Sequence, residues 1–360
     1  MVRKEWYYSD RKANALLLAA DVGGTNTNVA LVEYDGREYS IMAHWEFASQ
    51  KISGLEEALE EIFEDINSKL GEAKVEAFCA SGAGPVEDNV CILTNLPWKI
   101  DGNEIERDTG IPTVVINDFS AVCYGVPILE RQSPSSLVPI PHVDGSIPER
   151  RGSIRAVIGA GTGLGVGFLV DDRGQYHAYP SEGGHIDFPA SDDLMEEIRK
   201  YLSFKYKHTP GTEAVLSGQG IANIFSFMLD SGNIGHDDLI REILSVPDTD
   251  KPPLIAKYSE NHAGCRRVME FFISVYGHMA GNYALCFLPT AGLYLAGGIV
   301  AKNIDYFQKS PVFMRYFESS YRKNMTELLK KIPVYIIKDY SISVYGAAYA
   351  AQTFARRGDA

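Results

Sequence analysis

Short apolar runs separated by glycine-rich turns dominate the start of the chain and predict strands joined by tight hairpins. The apolar run Ala15–Ala20 ends at Asp21, and a turn rich in Gly and Thr leads into a second apolar run, Val29–Tyr34. Asp35-Gly36 then turns the chain into Arg37–Met42, and an Asp-Gly pair between apolar runs is a strong hairpin signal. This region therefore predicts an antiparallel group of strands.

After this hairpin region the apolar residues recur with the spacing of an amphipathic helix. One helical face collects the apolar positions Leu55, Leu59, Ile62, Phe63, Ile66 and Leu70. Ser53 with Glu56 three residues later is typical of a capping box at the start of such a helix. Val75–Ser81 and Thr113–Ile116 are short apolar runs of the kind found in buried parallel strands. Strands with helices between them indicate an α/β domain.

The second half repeats this alternation. The region 132–151 is rich in Pro, Ser and charged residues, which predicts a long surface connection near a domain boundary. Beyond it, helices are predicted over 194–206 and 264–287, and strands over 293–296 and 334–337. The small-residue segment Ser343–Phe354 predicts a last helix, which we expect to pack back on the first domain.

Two glycine-rich segments look like copies of one hairpin, Asp21–Asp35 and Ile158–Asp172. Aligning Thr25 with Thr162 also aligns Gly24 with Gly161, Val29 with Val166, Asp35 with Asp172 and Tyr39 with Tyr176. Glycine lets backbone N–H groups approach a phosphate closely, because no Cβ stands in the way. Neither segment is a Walker loop or a dinucleotide fingerprint. The pair predicts phosphate binding, and two tight turns without a ligand are the alternative.

Two acidic positions follow apolar strands. Asp21 faces the first glycine turn, where a carboxylate suits Mg²⁺, although an Asp can also cap a turn. Asn117 and Asp118 follow Thr113–Ile116, at the strand end that usually lines a ligand crevice. Asp118 is therefore a candidate base that accepts a proton from an alcohol, and a helix N-cap is the alternative for this pair.

A third polar group is suited to hydroxyl groups. Glu182-Gly-Gly-His185 places a carboxylate and an imidazole on a glycine turn, and Glu213 shortly precedes Leu216-Ser-Gly-Gln-Gly220. A carboxylate can accept hydrogen bonds from two neighbouring hydroxyls of a sugar. Ordinary polar roles are the alternative. A zinc site is disfavoured, because HExxH and a following Cys cluster are missing.

Composition narrows the class of protein. At 360 residues two domains are expected, and the net charge of −13 argues against nucleic acid and anionic membrane surfaces as partners. The five cysteines form no CxxC pair, which suits reduced thiols and a cytoplasmic protein. The basic residues before Ala15–Ala20 resemble a signal peptide only faintly, because the apolar run is short and Asp21 ends it. No run is long enough to span a membrane.

These motifs together resemble the bacterial-type glucokinases, a branch of the hexokinase, actin and heat-shock chaperone ATPase superfamily. The matching stretches keep the family's order: Asp21-Val-Gly-Gly-Thr-Asn26, Ile116-Asn-Asp-Phe119, Gly159-Ala-Gly-Thr-Gly-Leu-Gly165, Glu182-Gly-Gly-His-Ile-Asp-Phe188, Val215-Leu-Ser-Gly218 and Ala296-Gly-Gly-Ile-Val300. The resemblance covers essentially the whole chain.

The resemblance implies a role for each motif. Asp118 would be the base that accepts the proton of the sugar 6-hydroxyl, and the other hydroxyls would bind Asn117, Glu182, His185 and Glu213. Phosphates and Mg²⁺ would be held by Asp21, Gly23, Gly24, Thr25, Gly161, Thr162 and Gly163, with Asp21 as the metal ligand. Gly297 and Gly298 would line the nucleoside site.

The implied fold is two α/β domains of the ribonuclease-H-like, actin-like ATPase type around a deep cleft. The smaller domain would comprise residues 1–127 and 339–360, and the larger domain residues 128–338. Asp187-Phe-Pro189 stands where the zinc-containing branch has a Cys cluster, which places the chain outside that branch. The extension before Ala15 and the loose match of Thr94–Trp98 depart from the family pattern.

The resemblance implies phosphorylation of the 6-hydroxyl of D-glucose by MgATP in the cytoplasm. It also implies a homodimer as the assembly. Another hexose or an amino sugar as substrate stays open, as does ADP or polyphosphate as donor. An actin- or chaperone-like ATP-binding protein would explain the paired hairpins equally well, but not Glu182, His185 and Glu213. A sugar-responsive transcription regulator is disfavoured by the acidic charge and the short segment ahead of Ala15.

Overall fold

The chain forms two compact units, described here by a computed structural model over residues 1–7, 15–71 and 73–355. The first unit comprises Met1–Ser136, Tyr176–Pro180 and Asp339–Ala360, and the second comprises Leu137–Gln175 and Ser181–Lys338. We predicted a boundary between residues 127 and 128. That position lies inside a continuous helix over Asp118–Gln132, so the chain leaves the first unit later.

The first unit is built on a six-stranded sheet. Its strands are β1 (Arg3–Trp6), β2 (Ala15–Val22), β3 (Asn26–Tyr34), β4 (Tyr39–Ala48) and β5 (Val75–Gly82), followed after three short strands by β9 (Thr113–Asn117). The short strands β6 (Val86–Glu87), β7 (Val90–Ile92) and β8 (Lys99–Asp101) form a separate sheet. The order in the large sheet is β1-β4-β3-β2-β5-β9, antiparallel from β1 to β2 and parallel from β2 to β9.

The first helices of this unit are α1 (Leu55–Leu70), α2 (Gly102–Thr109) and α3 (Asp118–Gln132). The predicted face of α1 is buried at Leu55, Leu59, Ile62 and Ile66, whereas Leu70 is exposed. The predicted capping box is wrong. The backbone N–H and the hydroxyl of Ser53 both donate to Glu57 instead of Glu56, because α1 begins only at Leu55.

The extension before Ala15 adds a strand that the sequence did not indicate. β1 pairs antiparallel with β4, so it covers the edge of the predicted hairpin region. Lys4 forms an ion pair with buried Asp65 of α1, and the indole N–H groups of Trp6 and Trp45 donate to Asp65 Oδ2 at 3.0 and 2.9 Å. Burial alone would raise the pKa of Asp65, but these hydrogen bonds outweigh it and lower that pKa.

The chain forms a second six-stranded sheet, five strands of which lie in the second unit. Its strands are β10 (Leu137–Ile140), β11 (Ile154–Ala160), β12 (Leu164–Asp172), β13 (Gln175–Ser181), β14 (Gly292–Ala296) and β15 (Val334–Ile337). The order is β10-β15-β14-β11-β12-β13, with β11, β14 and β15 parallel. The connection predicted over 132–151 is therefore not only a surface loop, because β10 lies within it.

The two sheets share one topology. Both contain an antiparallel group of three strands followed by two parallel strands, in the orders β4-β3-β2-β5-β9 and β13-β12-β11-β14-β15. Each sheet has one further strand at one end, β1 or β10. The aligned segments at Thr25 and Thr162 are the first hairpin of each sheet, β2–β3 and β11–β12. The internal repeat seen in the sequence is thus a repeat of the fold.

The helices of the second unit are α4 (Asp193–Tyr206), α5 (Gly218–Asp230), α6 (Asp238–Leu244), α7 (Lys251–Tyr258), α8 (Ala263–Phe287), α9 (Gly298–Lys302), α10 (Ile304–Gln308), α11 (Val312–Phe317) and α12 (Lys323–Leu329). The long helix α8 packs against α5, α7, α10, α11 and α12. A Cβ on Gly277 of α8 would lie 2.1 Å from the carbonyl oxygen of Phe313, so α8 and α11 approach closely. The buried side chains of α8 supply much of this unit's core.

The last helix, α13 (Ile342–Ala350), lies in the first unit and packs on α3. The contact is close because glycines lie on both sides of it. A Cβ on Gly346 would lie 1.8 Å from the carbonyl oxygen of Ala121, and one on Gly125 would lie 2.2 Å from that of Ile342. This packing holds the start of α13 near the end of β2.

Two further observations concern the cysteines and the possibility of a membrane-spanning helix. All five cysteines are free thiols, and four of them are buried. Across residues 1–7, 15–71 and 73–355, no helix has both the length and the apolar character needed to cross a membrane.

The α3–α13 contact predicts a strong effect of a single methyl group. Gly346→Ala is expected to destabilise the first unit by about 1–3 kcal/mol, because neither backbone can move aside for the added Cβ. Urea unfolding followed by tryptophan fluorescence measures this unit alone, since Trp6, Trp45 and Trp98 all lie in it. The native protein measured in parallel is the reference. An unchanged unfolding midpoint in Gly346→Ala would contradict the close contact.

Candidate functional site

The carboxyl ends of three parallel strands bring the candidate residues of the first unit to one edge of its sheet. Asp21 at the end of β2 is paired with Ser81 in β5, and Gly82 in β5 is paired with Asn117 at the end of β9. Asp118 begins α3 directly after Asn117. Residues that are almost a hundred positions apart in the chain therefore share one edge.

Asp21 lies in surroundings that disfavour its charge. Ser343 at the start of α13 donates to Asp21 Oδ2 at 2.8 Å, and the hydroxyl of Ser81 lies 3.4 Å from Oδ1. Burial raises the pKa of Asp21, and these two hydroxyls offset only part of that shift. A carboxylate whose negative charge is offset only in part by hydroxyl groups is a suitable ligand for a cation.

Asp118 lies at the N-terminus of α3, where the backbone N–H of Phe119 donates to its Oδ1 at 2.8 Å. Burial raises the pKa of Asp118, the Phe119 N–H lowers it and the nearby charge of Asp21 raises it, which together bring the pKa to about 6. A carboxyl group with this pKa is ionised at neutral pH but still accepts a proton readily.

Asn117 is the N-cap of α3. Its Oδ1 accepts hydrogen bonds from the N–H groups of Phe119 at 2.9 Å and Ser120 at 3.3 Å, and its Nδ2 donates to the carbonyl of Gly84 at 3.2 Å. The alternative considered for this pair, a helix cap, therefore applies to Asn117. The amide nitrogen has a second hydrogen, which can still serve a ligand.

The first glycine turn joins β2 to β3 through residues 23–25. The Gly23 N–H donates to the carbonyl of Asn26, and Ser49 binds both ends of the turn through the carbonyls of Gly23 and Thr25. Thr25 is exposed, and a Cβ on Gly24 would lie 3.1 Å from Cβ of Asn95. The turn is thus held in shape from behind, while Thr25 faces solvent next to the Thr94–Trp98 loop.

The second glycine turn, Gly161–Gly163, lies beside Gly297 and Gly298 because β11 and β14 are parallel neighbours with Gly159 paired to Ala296. Gly297 has φ +97°, and a Cβ on it would lie 2.3 Å from the carbonyl oxygen of Ala160. Both the backbone angle and this contact require glycine.

A cavity of about 900 Å³ opens beside these glycines, entirely within the second unit. Gly161, Thr162 and Gly298 line one part of it, and residues of α5, α7, α9 and α10 line the rest. The rest of the lining mixes apolar side chains, such as Ile221, with charged ones. Cavities of this volume accept ligands of nucleotide size.

The three hydroxyl-binding candidates also lie in the second unit. Glu182 precedes a single turn of 3₁₀ helix and His185 ends it. Their side chains are 91% and 65% exposed, and Glu182 Oε2 lies 3.7 Å from His185 Nε2. Glu213 is half-buried, and its Oε2 accepts a hydrogen bond from the N–H of Leu164 at 2.8 Å. The exposed pair is open to a ligand, whereas Glu213 already has a protein partner.

The model of the glucokinase family matches residues 18–354. A glucokinase from Nostoc punctiforme is 34% identical over 350 residues, which cover 93% of this chain and 98% of that protein. The chain belongs to the glucokinase family. The predicted family and enzyme class are thereby confirmed.

Two solved structures of family members support the fold. A glucokinase from an Antarctic psychrotroph has a TM-score of 0.77 and 27% identity, covering 94% of this chain and 98% of its own. A glucokinase from Balamuthia mandrillaris, solved in complex with glucose, has a TM-score of 0.74 and 21% identity, with 94% of each chain covered. The predicted actin-like ATPase fold of this family is confirmed.

Several residues that shape the site in this family member were missed. Ser81 and Ser343 contact Asp21, Gly84 contacts Asn117, Ser49 braces the first turn and Leu164 holds Glu213. Ser343 opens the predicted last helix, so its position was a signal for it. The others contribute backbone groups or common hydroxyls, which give no pattern in a single sequence.

The cap at α3 predicts that Asn117 stabilises the first unit through its side-chain acceptor. Asn117→Ala is expected to destabilise the first unit by about 1 kcal/mol, because two N–H groups lose their acceptor, whereas Asn117→Ser restores an acceptor and most of the stability. Urea unfolding by tryptophan fluorescence measures both. Equal losses in the two variants would show that the cap is not what Asn117 contributes.

Proposed function

We propose that this protein transfers the terminal phosphoryl group of ATP to the 6-hydroxyl of D-glucose. The single observation that carries the proposal is the position of Asp118, at the end of β9 and beside Asp21, with a pKa raised to about 6. Membership of the glucokinase family supports the substrate pair, and the two glycine turns supply the groups that phosphates need.

Asp118 is proposed as the general base. A base is most effective when its pKa lies near the working pH, and burial brings Asp118 into that range. Phosphoryl transfer has a loose transition state, so the main tasks are to position the hydroxyl and to neutralise charge. Asp118 orients the 6-hydroxyl towards phosphorus and takes its proton as the new P–O bond forms.

The nucleotide is proposed to bind the second unit. The cavity of about 900 Å³ is large enough for a nucleoside, and its lining by Gly161, Thr162 and Gly298 puts the phosphates at the second glycine turn. Gly163 and Gly297 shape the backbone around it. Gly23, Gly24 and Thr25 of the first turn are proposed to contact the terminal phosphate through backbone N–H groups and the hydroxyl.

Asp21 is proposed to hold Mg²⁺, directly or through water. In the described ranges, no group of three or more His, Cys, Asp or Glu side chains is arranged to hold a metal ion. A single carboxylate with a raised pKa still fits Mg²⁺, which usually binds one or two carboxylates together with substrate phosphates. A bound Mg²⁺ would neutralise part of the negative charge on the phosphates.

The remaining sugar hydroxyls are proposed to bind Asn117, Glu182, His185 and Glu213. Hydrogen bonds to the three charged or ionisable groups strengthen where water is excluded. The choice between D-glucose and another hexose or amino sugar depends on the placement of these four side chains. A cytoplasmic location and a homodimer, which the family resemblance implies, are part of the same proposal.

A coupled assay with ATP and a panel of hexoses and amino sugars tests the proposal, with Asp118→Asn as the paired variant. The native protein is expected to turn over D-glucose fastest. Asp118→Asn is expected to lose about 10²- to 10⁴-fold of the turnover, because the proton acceptor is gone. Glucose binding, read from tryptophan fluorescence, is expected to persist in the variant. A large ATPase rate without sugar would favour the actin- or chaperone-like alternative, and near-normal turnover in Asp118→Asn would remove that residue from its role.

The raised pKa of Asp118 predicts an acid limb in the pH profile. Because the ionised form is the active one, activity rises with pH through about 6, and at pH 5 roughly a tenth of the plateau is expected. Rates at subsaturating glucose and ATP report the free protein. The residual rate of Asp118→Asn is expected to lack this limb. A limb near pH 4, or the same limb in the variant, would contradict the assignment.

A further inference from the structure

We propose that Glu213 positions the second glycine turn for the nucleotide phosphates, in addition to contacting the sugar. The inference rests on the proposed function, because it assigns a second task to a residue placed at the sugar. It is carried by contacts that lie wholly within the second unit.

Glu213 binds the turn where the hairpin closes. Leu164 is the first residue of β12 after the turn and is paired with Ala160, the last residue of β11. The N–H of Leu164 donates to Glu213 Oε2 at 2.8 Å. The carboxylate therefore holds the backbone at the exact residue where Gly161–Gly163 leaves the sheet.

The segment that carries Glu213 also holds the other side of the turn. The N–H of Gly218 donates to the carbonyl of Gly161 at 2.8 Å. Between these two contacts, the hydroxyl of Ser217 donates to the carbonyl of Glu213 at 2.8 Å and caps α5 by accepting from the N–H of Gly220 at 3.0 Å. Residues 213–218 thus brace both ends of the turn and are themselves fixed to a helix.

The fit around Glu213 leaves little space. A Cβ on Gly163 would lie 2.6 Å from Glu213 Oε2, and a Cβ on Gly184 would lie 2.1 Å from the carbonyl oxygen of Leu164. A Cβ on Gly161, by contrast, would meet no atom within 4 Å. The carboxylate packs against one side of the turn, and the other side stays open towards the cavity that Gly161 lines.

Glu213 differs in this respect from Glu182, the other carboxylate placed at the sugar. The Glu182 side chain is 91% exposed, and its Oε2 lies 3.7 Å from His185 Nε2. A carboxylate accepts several hydrogen bonds at once, so Glu213 can hold Leu164 with one oxygen and still accept from a ligand. Of these two carboxylates, Glu213 alone both holds the glycine turn and is placed at the sugar.

The test measures binding of a non-hydrolysable ATP analogue with Mg²⁺ by calorimetry, in the absence of sugar. Glu213→Ala is expected to weaken this binding about fivefold, the effect of one lost hydrogen bond that fixes the turn. Glu213→Gln keeps an acceptor for the Leu164 N–H and is expected to restore native affinity. Gly163→Ala, whose Cβ displaces the carboxylate, is expected to behave like Glu213→Ala.

Glu182→Ala is the matched control, since it removes a carboxylate from the sugar side alone. It is expected to weaken glucose binding and to leave the affinity for the ATP analogue unchanged. Circular dichroism confirms that each variant is folded. Native analogue affinity in folded Glu213→Ala, or no rescue by Glu213→Gln, would overturn the inference. If the native protein itself bound no nucleotide, the proposed function would fail first.

Discussion

Parallel pairing of β2, β5 and β9 forces two carboxyl groups, Asp21 and Asp118, to the same edge of one sheet. Both are half-buried, and the charge of Asp21 acts on Asp118, so the pKa of each lies above its ordinary value. One carboxyl group then suits a cation and the other suits a proton. The chemistry proposed for this family member depends on that juxtaposition, which strand order creates and side-chain burial strengthens.

The repeated topology explains why the two halves of the chain carry similar turns but different polar groups. In both sheets the first hairpin ends beside the next parallel strand, so a glycine turn falls at the same edge each time. In the first unit, carboxylates lie at the ends of the neighbouring strands β2 and β9. In the second unit, Gly297 follows β14 and a cavity lies beside it, because the chain turns sharply there at a residue with positive φ. The proposed chemistry thus uses this edge of one sheet for reaction and the same edge of the other sheet for binding the nucleotide.

The sequence was sufficient for features that depend on spacing. The apolar period and the turn residues indicate the Gly-rich hairpins, the strand ends near Asp21 and Asn117, and a long helix over 264–287, and the structure has each of them. Features that depend on tertiary packing were not accessible. The Ser53–Glu56 box failed because α1 starts later, and the bond from Leu164 to Glu213 joins a backbone group to a residue far along the chain. A backbone donor leaves no mark in a sequence.

The strand β1 has a practical consequence. It lies outside the part of the chain that matches the family, yet it pairs with β4 and places Lys4 and Trp6 on a buried carboxylate of α1. Shortening the N-terminus to the family limits would expose a sheet edge and leave Asp65 without two of its donors. An affinity tag added at the N-terminus would therefore be joined to a strand of the sheet. Its linker would have to leave residues 3–6 free to pair with β4.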